Sequence, residues 1–372
     1  MKNKKVELQK IRKNIDHIDG QLVRLLNERA KNVLKVKNVK TEGKMHFYAP
    51  HREKEVYQRV GRLNQGPFPT STLEAIFCEI MSGSLALESP LKIAYFGLAG
   101  SNTHIAAVQK FGSSSKYVSG STLKDVFLEV ERGRAHYGVV PIENSTEGVV
   151  FHTLDLFVES DLRICSEILM PISHTLMSRS GDIRKVKRIY SNAVALGQCR
   201  IWLETNLPGV KIIESTSTSK AAQMASKDET GAAIASDLAA KLNHLKPIAK
   251  RIEDMQDNFT RFLVIGKTNA EKTGKDKTSI MVSIKDKVGA LYTLLKPFEK
   301  QGFNLTSIES RPSRKKAWDY YFFIDFLGHI DDDKTKKAIT EIEKASLTVK
   351  VLGSYPPLRA VGWVFKSPYE KI

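Results

Sequence analysis

Residues 258–266 read NFTRFLVIG, a run of four apolar residues that is closed by a glycine. Such a run predicts a short buried strand. Three polar side chains, Asn258, Thr260 and Arg261, stand at its start. Two interpretations are open for them: a turn whose side chains cap the backbone, or a functional site at the entrance of the strand. The rest of the chain has to decide between the two.

The composition is that of a globular protein with several domains. A length of 372 residues predicts two or three domains, and 41% hydrophobic with 27% charged residues is typical of soluble proteins. The basic amino terminus lacks the apolar run of a signal peptide, and no later run is long enough to span a bilayer. Cys78, Cys165 and Cys199 lie far apart and lack metal-ligand spacing. This pattern favours reduced thiols in a reducing compartment. We therefore expect a cytoplasmic protein that has neither a metal site nor a membrane partner.

The formal net charge is +17. The excess of basic residues is spread along the chain, and neither an RGG tract, a zinc finger nor a basic stripe with interleaved aromatic residues stands out. A modest positive field also suits small polyanionic substrates. We expect small anions and no nucleic acid as partners.

The chain divides into units of different patterning. Residues 1–90 have apolar residues at steps of three and four, which predicts an all-α domain. Residues 91–267 alternate short apolar runs with helical stretches, which predicts an α/β domain. A polar linker is expected at 268–278, and 279–356 has the β-α-β-β-α-β order of a ferredoxin-like α+β domain. Residues 357–372 form a tail to which we assign no function.

Two cations interrupt the apolar stripe of the first predicted helix. Arg29 and Lys40 are eleven residues apart, so they share one face of the helix to within roughly 20°. Either they reach water near the helix end or they meet an anion there. Arg12 lies roughly 260° around the helix from Arg29 and about 25 Å along it. It could reach the same ligand only from another copy of the chain.

This segment resembles the all-helical chorismate mutases. The match rests on IRKNIDHIDGQLVRLLNERAKNVLKVKNVK, on HRE at 51–53, and on a serine and a glutamate four residues apart. The resemblance implies a dimer of three-helix chains in which one arginine crosses from the partner. The residues that it implies are Arg12, Arg29 and Arg52 for the substrate carboxylates, Lys40 for the ether oxygen, Glu53 for the substrate hydroxyl, and Ser84 and Glu88 beside them.

Glu88 stands where many relatives carry glutamine. To donate a hydrogen bond to the ether oxygen, Glu88 would have to be protonated, because an ionised carboxylate would repel the dianionic substrate. We therefore expect mutase activity to depend on the protonation of this side chain.

The middle segment resembles the prephenate dehydratases. The match rests on GVVPIENSTEGVV at 138–150, ALGQCRIWL at 195–203, STSKAA at 217–222 and the strand that opened this section. The resemblance implies two α/β lobes, like those of periplasmic binding proteins, with the substrate between them and Thr260 as the donor of a proton to the leaving hydroxyl. Further substrate-binding residues implied are Ser101, Thr103, Asn144, Ser145, Ser217, Thr218 and Arg261, the last either binding a carboxylate or bracing the lobe.

Two loops of this segment depart from the family pattern. In GLAGSNTH, residues 97–104, Leu98 and Asn102 replace the usual proline and aromatic residue. In SNAVALGQC, residues 191–199, the three residues after the serine also differ: they are Asn192, Ala193 and Val194. These changes leave two alternatives open, a lower dehydratase activity or a preference for arogenate over prephenate.

The last segment resembles the ACT domains that sense amino acids. Two motifs, GALY at 289–292 and ESRP at 309–312, are typical of the version that binds phenylalanine. A glycine at a helix start leaves backbone amides free to meet a carboxylate. The implied effector site comprises Gly289, Ala290, Leu291, Glu309, Ser310, Arg311 and Pro312, shared across a subunit boundary. The alternative is a pairing interface that binds no ligand.

The order of the three resemblances is itself that of the bifunctional chorismate mutase/prephenate dehydratases of phenylalanine biosynthesis. It implies conversion of chorismate to prephenate and of prephenate to phenylpyruvate, without metal or organic cofactor. It further implies feedback inhibition by L-phenylalanine and a homodimer or tetramer. A non-catalytic amino-acid receptor is the rival of another class, and Thr260, Asn144 and Ser145 argue against it.

Overall fold

The computed structural model describes residues 2–42, 50–285, 287–313 and 320–357, apart from the side chains of residues 2, 3, 37–42 and 88. Within these ranges no helix combines the length and the low polarity that crossing a bilayer requires. The predicted tail, apart from residue 357, lies outside the described residues.

The amino-terminal unit consists of helices α1 (Lys2–Glu42), α2 (Pro50–Leu63) and α3 (Thr70–Glu88). At about 1.5 Å per residue, the 41 residues of α1 extend about 60 Å. Most of its apolar stripe is not covered by this chain. The side chains concerned are about half exposed: Leu8, Ile11, Ile15, Ile18, Leu22 and Leu25. An apolar surface of that length is typical of a protein–protein interface.

The middle unit has two lobes, each built on one sheet. The first sheet contains β1 (Lys92–Phe96), β2 (Lys116–Gly120), β3 (Tyr137–Asn144), β4 (Gly148–Val149), β5 (Arg163–Pro171) and β11 (Phe259–Gly266). Its strand order is β2-β1-β3-β11-β5, with β4 paired to β3. Helices α4 (Asn102–Phe111), α5 (Leu123–Glu131) and α6 (Phe151–Glu159) pack against it. The chain leaves this lobe after β5 and returns to it with β11, so two segments join the lobes.

The second sheet contains β6 (Thr175–Ser178), β7 (Arg188–Ser191), β8 (Lys211–Glu214), β9 (Gly231–Ala235) and β10 (Lys246–Lys250), in the order β10-β6-β9-β7-β8. Its helices are α7 (Ala193–Gln198), α8 (Arg200–Asn206), α9 (Thr218–Ala225) and α10 (Asp237–Leu242). In the first sheet β2, β1 and β3 are parallel, and in the second sheet β8, β7 and β9 are parallel, whereas β11 and β6 run antiparallel to their neighbours. Helices that follow parallel strands start at the carboxyl edge of the sheet, which is where α/β proteins bind ligands.

The carboxyl-terminal unit has the predicted ferredoxin-like order. Its elements are β12 (Lys277–Ser283), α11 (Ala290–Gln301), β13 (Leu305–Pro312), β14 (Tyr320–Leu327), α12 (Asp333–Ala345) and β15 (Thr348–Tyr355). The antiparallel sheet has the order β13-β14-β12-β15. Strand β12 starts at Lys277, two residues inside the stretch predicted as a linker.

The carboxyl-terminal unit and the first lobe share one hydrophobic core. Phe323 and Tyr355 are buried in the same cluster as Phe127 and Phe157 of the first lobe. Strand β15 runs so close to β5 that a Cβ at Gly353 would overlap a backbone carbonyl of β5. The two units are therefore packed as one body along this face.

A buried cluster of four charges lies at the same boundary. Arg261 of β11 contacts Glu167 of β5 at 2.8 Å and Asp325 of β14 at 2.5 Å. Lys277 of β12 contacts the same Glu167 carboxylate at 2.6 Å. Burial alone would raise the pKa of Asp325, but the charges of Arg261 and Lys277 lower it. Two cations thus balance two carboxylates in a place from which water is largely excluded.

We expect Lys277→Met to destabilise the protein strongly. The Glu167 side chain is fully buried, and without Lys277 it would have to share Arg261 with Asp325. Removing one partner of a buried ion pair costs about 3–5 kcal/mol. The urea midpoint, followed by tryptophan fluorescence and circular dichroism, should fall accordingly. Lys272→Met is the control, because its pair with Asp332 is exposed, and it should leave the midpoint almost unchanged. Equal shifts in the two variants would contradict this role of the cluster.

Candidate functional sites

A cavity of about 350 Å³ lies between the three helices of the amino-terminal unit and α4. Its lining includes Arg29 from α1, Arg52 and Glu53 from α2, and Ser84 from α3. Arg29 Nη1 donates to Ser84 Oγ at 2.7 Å. Four of the residues implied by the mutase resemblance are thus brought together from three helices.

The charge of this cavity suits an anion. Burial lowers the pKa of Arg29, and the neighbouring charges of Arg59 and Arg52 lower it further. Arg59 and Arg52 line the same cavity, and Arg52 also contacts Glu55 on the surface at 2.5 Å. A group of guanidinium ions that repel one another is stabilised by a ligand with negative charges.

Glu53 contributes a carboxylate to the cavity, and one of its partners comes from another unit. Lys110 Nζ, on α4, lies 2.9 Å from Glu53 Oε2. Lys110 and its neighbour Phe111 also line the cavity. Sequence reasoning missed both residues, because nothing in the periodicity of α4 indicates that its last turn meets α2.

Three residues implied for the mutase site are not placed in this cavity. Arg12 is exposed on α1 and does not line it. The side chains of Lys40 and Glu88 lie outside the described residues.

The two lobes of the middle unit meet at the carboxyl edges of their parallel strands. Ser236 of the second lobe donates to the Gly100 carbonyl of the first at 2.7 Å. Gly100 has a φ of +83°, and an added Cβ would lie 2.9 Å from Ala239 Cα. Only glycine fits both this backbone conformation and this close approach. The loop that contains Ser101 is therefore held against the second lobe.

Asn144 and Thr260 form the polar centre between the lobes. Asn144 Nδ2 donates to Thr260 Oγ1 and to Asn258 Oδ1, both at 2.8 Å. Asn144 Oδ1 accepts from the amides of Thr146 and Glu147, each at 3.0 Å. The amide is held on both sides, and the Thr260 hydroxyl, which accepts this bond, keeps its own proton for a further acceptor.

Gln198, at the end of α7, connects the second lobe to this centre. Its Nε2 donates to Thr146 Oγ1 and to Glu147 Oε1, both at 3.2 Å. Its Oε1 accepts from Asn258 Nδ2 at 3.1 Å and lies 2.8 Å from His174 Nε2. Gln198 lies within the ALGQC motif, but sequence reasoning did not assign it to the site.

The remaining hydroxyls hold the local backbone. Ser101 caps α4 by accepting from the His104 amide at 3.2 Å, and Ser217 caps α9 by accepting from the Lys220 amide at 3.1 Å. Ser145 accepts from the Phe259 amide at 2.9 Å, which pins the start of β11 to the end of β3. Thr103 is buried in the first turn of α4, and Thr218 is half-buried in that of α9. The positive ends of these two helices point towards the interlobe region.

Arg261 is not brought together with the cleft residues. Side chains alternate along a strand, so Thr260 and Arg261 point to opposite faces of β11. Arg261 is committed to the charge cluster with Glu167 and Asp325. Of the two alternatives for this residue, these contacts favour bracing, and the contact with substrate stays a prediction.

The effector residues implied for the carboxyl-terminal unit lie on α11 and β13. Gly289 precedes α11 with a φ of +77°, and Val288 before it is fully exposed. Burial raises the pKa of Glu309, and the neighbouring Glu143 carboxylate adds to this effect. The other members of the two motifs are Ala290 and Leu291 at the start of α11 and the exposed Ser310 and Pro312 on β13.

Arg311 faces the middle unit, as does Glu309 two residues before it on β13. It forms a two-pronged ion pair with Asp155 of α6, at 2.7 and 2.8 Å, and lies 4.8 Å from the centre of the Phe151 ring. In this arrangement Arg311 fastens the carboxyl-terminal unit to the first lobe.

Family models match the chain in three consecutive stretches: chorismate mutase type II at 11–89, prephenate dehydratase at 93–270 and ACT domain at 278–344. The bifunctional chorismate mutase/prephenate dehydratase of Aquifex aeolicus is 49% identical over 354 residues, covering 94% of this chain and 98% of the relative. That of Pseudomonas aeruginosa is 44% identical over 356 residues, with the same coverage.

Among solved structures, the prephenate dehydratase from Arthrobacter aurescens in complex with L-Phe superposes with a TM-score of 0.67 at 33% identity. The match covers 72% of this chain and 90% of that chain. With three matched domains in one order and this identity over nearly its whole length, the chain belongs to the bifunctional chorismate mutase/prephenate dehydratase family, and it carries an ACT domain at its carboxyl end.

Proposed function

We propose that the helical cavity rearranges chorismate to prephenate and that the interlobe centre converts prephenate to phenylpyruvate, water and carbon dioxide. The observation that carries this division is the contrast between the two sites. One groups arginines around a cavity between helices, while the other presents a hydroxyl held by a fixed amide.

In the cavity, no nucleophile is required. The rearrangement is intramolecular, so the protein can accelerate it by holding the compact conformer and by stabilising the negative charge that develops on the ether oxygen. Arg29 and Arg52 suit the planar carboxylates of the substrate, and Lys40 would supply the point charge. Glu53 would accept from the substrate hydroxyl. Glu88 would donate to the ether oxygen in its protonated form.

Mutase activity should therefore fall as pH rises through the range in which Glu88 ionises. Glu88→Gln should flatten this dependence, because an amide donates at every pH. The measurement is the chorismate consumption rate at saturating substrate between pH 5 and 9 for both proteins. If the variant retained the wild-type pH profile, Glu88 would have no part in the reaction.

In the interlobe centre, Thr260 is proposed as the general acid. Its hydroxyl would protonate the leaving ring hydroxyl, so that the carbon–oxygen bond breaks and water departs. The ring carboxylate then leaves as carbon dioxide, and the electron pair of the broken carbon–carbon bond completes the aromatic ring. Solvent restores the proton to Thr260. A weak acid suffices if it is well positioned, since aromaticity supplies most of the driving force.

The substrate of this step is a dicarboxylate, and the surroundings of Thr260 can bind it. The amino-terminal ends of α4 and α9, capped by Ser101 and Ser217, offer backbone amides to carboxylates. Asn144 would hold the Thr260 hydroxyl in line with the leaving group.

Thr260→Val should abolish most of the dehydratase activity and spare the mutase. Valine keeps the shape of threonine but lacks the proton, and loss of a general acid costs about 10²–10⁴-fold in rate. When the variant is supplied with chorismate, prephenate should accumulate and phenylpyruvate should not, as followed by separate chromatographic assays. Thr260→Ser, which keeps the hydroxyl, is the matched control and should retain most of the turnover. Phenylpyruvate formation by the valine variant at the wild-type rate would exclude Thr260 as the acid.

We further propose that the protein is at least a homodimer through α1. The half-exposed stripe from Leu8 to Leu25 offers a long apolar face, and Arg12 lies on the same helix outside the cavity of its own chain. Pairing of two α1 helices would cover the stripe and would bring Arg12 to the cavity of the partner.

The three cysteines support a proposal on location. Cys78, Cys165 and Cys199 are all free thiols, as in proteins of a reducing compartment. A cytoplasmic site of action fits these thiols.

The ACT domain is proposed to bind L-phenylalanine and to inhibit the dehydratase. The relative from Arthrobacter aurescens was solved with L-Phe bound. The amides after Gly289 would receive the carboxylate of the effector, and Glu309 would receive its ammonium group across a subunit boundary. A ligand that prefers one of two domain arrangements shifts the equilibrium by its difference in affinity.

Gly289→Ala should weaken binding of L-phenylalanine. The positive φ of Gly289 strains any residue with a side chain, and a left-handed conformation costs such a residue about 1–2 kcal/mol. If α11 shifts to relieve this strain, the affinity for L-phenylalanine should fall about tenfold. Isothermal titration of both proteins with L-phenylalanine measures it. Gly274→Ala is the control, because Gly274 also has a positive φ, and a Cβ there meets nothing within 4 Å, as at Gly289. Absence of heat from the wild type with L-phenylalanine, tyrosine and tryptophan would contradict the proposed sensor role.

A further inference from the structure

The ion pair between Glu53 and Lys110 crosses the boundary between the mutase and dehydratase domains. Its side chains are 10% and 15% exposed, and Nζ and Oε2 are 2.9 Å apart. A pair this well buried is screened little by water, so loss of Lys110 would remove a closely held positive charge from the Glu53 carboxylate.

Neutral groups complete the surroundings of Glu53. Tyr57 of α2 interacts with it by a hydrogen bond, and burial followed by the charge of Glu53 raises the pKa of this phenol well above its usual value. Burial, with the charge of Glu53 adding to it, raises the pKa of the Cys78 thiol of α3 to about 11. Both groups are therefore uncharged at neutral pH. Arg29 of α1 lines the same cavity but donates to Ser84. Lys110 is thus a cation of the described residues that lies in direct contact with the Glu53 carboxylate.

The position of Lys110 is fixed by the way α4 joins α3. The Ser114 amide, just beyond α4, donates to Ser82 Oγ at 3.2 Å, and the Ser113 amide donates to Glu79 at 3.0 Å. Gly112 packs so tightly on Ser82 that a Cβ there would overlap its side chain. Because the end of α4 is bound to α3 at several points, Lys110 cannot move away from the cavity without loss of these contacts.

We propose that Lys110, a residue of the dehydratase domain, is a positioning residue of the mutase site that holds the Glu53 carboxylate in place for the substrate hydroxyl. The proposal rests on the role proposed above for Glu53. The dehydratase domain thereby contributes one wall and one charge to the mutase reaction, although it takes no part in the chemistry.

Lys110→Met tests the proposal in the full-length protein. Without its ion-pair partner, the Glu53 carboxylate should lose its fixed orientation, and the KM for chorismate should rise about tenfold relative to wild type. Lys110→Arg should restore most of the wild-type behaviour. Lys124→Met removes an exposed cation of the neighbouring α5 and should change neither activity. Turnover of supplied prephenate should stay within about twofold of wild type in all three variants, which shows that the dehydratase domain is folded.

The double variant Glu53→Gln/Lys110→Met separates positioning from mere structure. If Lys110 acts through the Glu53 charge, its loss should add nothing in the Glu53→Gln background. An equal penalty in both backgrounds would overturn the proposal, as would wild-type mutase kinetics in Lys110→Met. Lys110→Gln is a second neutral variant that keeps a polar side chain, and loss of both activities in it and in Lys110→Met would assign Lys110 a structural role and overturn the proposal as well. Wild-type mutase kinetics in Glu53→Gln alone would instead refute the proposed role of Glu53.

Discussion

The structure depends on the buried charge cluster around Arg261. Strand β11 is shared in an unusual way, because its alternating side chains serve two units at once. Thr260 faces the interlobe centre through its bond with Asn144, whereas Arg261, the next residue, faces Asp325 of the ACT sheet. The ACT domain thus contacts the residue next to the proposed acid. An effector bound to the ACT domain would therefore be connected to the dehydratase centre by direct contacts between side chains.

Much of the architecture could be predicted from local sequence patterns. The 3.6-residue period of the first segment and the β-α-β-β-α-β order of the last are properties of neighbouring residues, and both predictions are confirmed. The helix caps are local too, so Ser101 and Ser217 could be placed near helix starts. What could not be predicted are contacts between units. Examples are the contacts of Lys110, of Gln198 and of Arg261, which join residues that are far apart in sequence. Periodicity describes only neighbouring residues, so it does not indicate such contacts.

Helix α4 extends from one proposed site to the other. The loop before α4 carries Ser101 and contacts the second lobe through Gly100, while the last turn of α4 carries Lys110. Nine residues of helix separate Ser101 from Lys110, or about 14 Å. An α-helix transmits displacement along its axis with little loss, because its backbone hydrogen bonds close every turn. Closure of the lobes on a ligand would therefore displace the residues of α4 that line the mutase cavity.

The exposed stripe on α1 sets a further constraint on the mutase. With its apolar side chains exposed to water, α1 would be only marginally stable, since most helical stability in proteins comes from packing of the apolar face. The same pairing that buries the stripe would also supply Arg12, so stability and substrate binding would be obtained by one contact. We therefore expect the mutase to be inactive as a single chain, because an isolated α1 would lose both its packing partner and the Arg12 that the partner would supply. The rigid body formed by the first lobe and the ACT domain has its own core and its own charge cluster. Dissociation of the mutase helices should therefore leave the dehydratase centre largely intact.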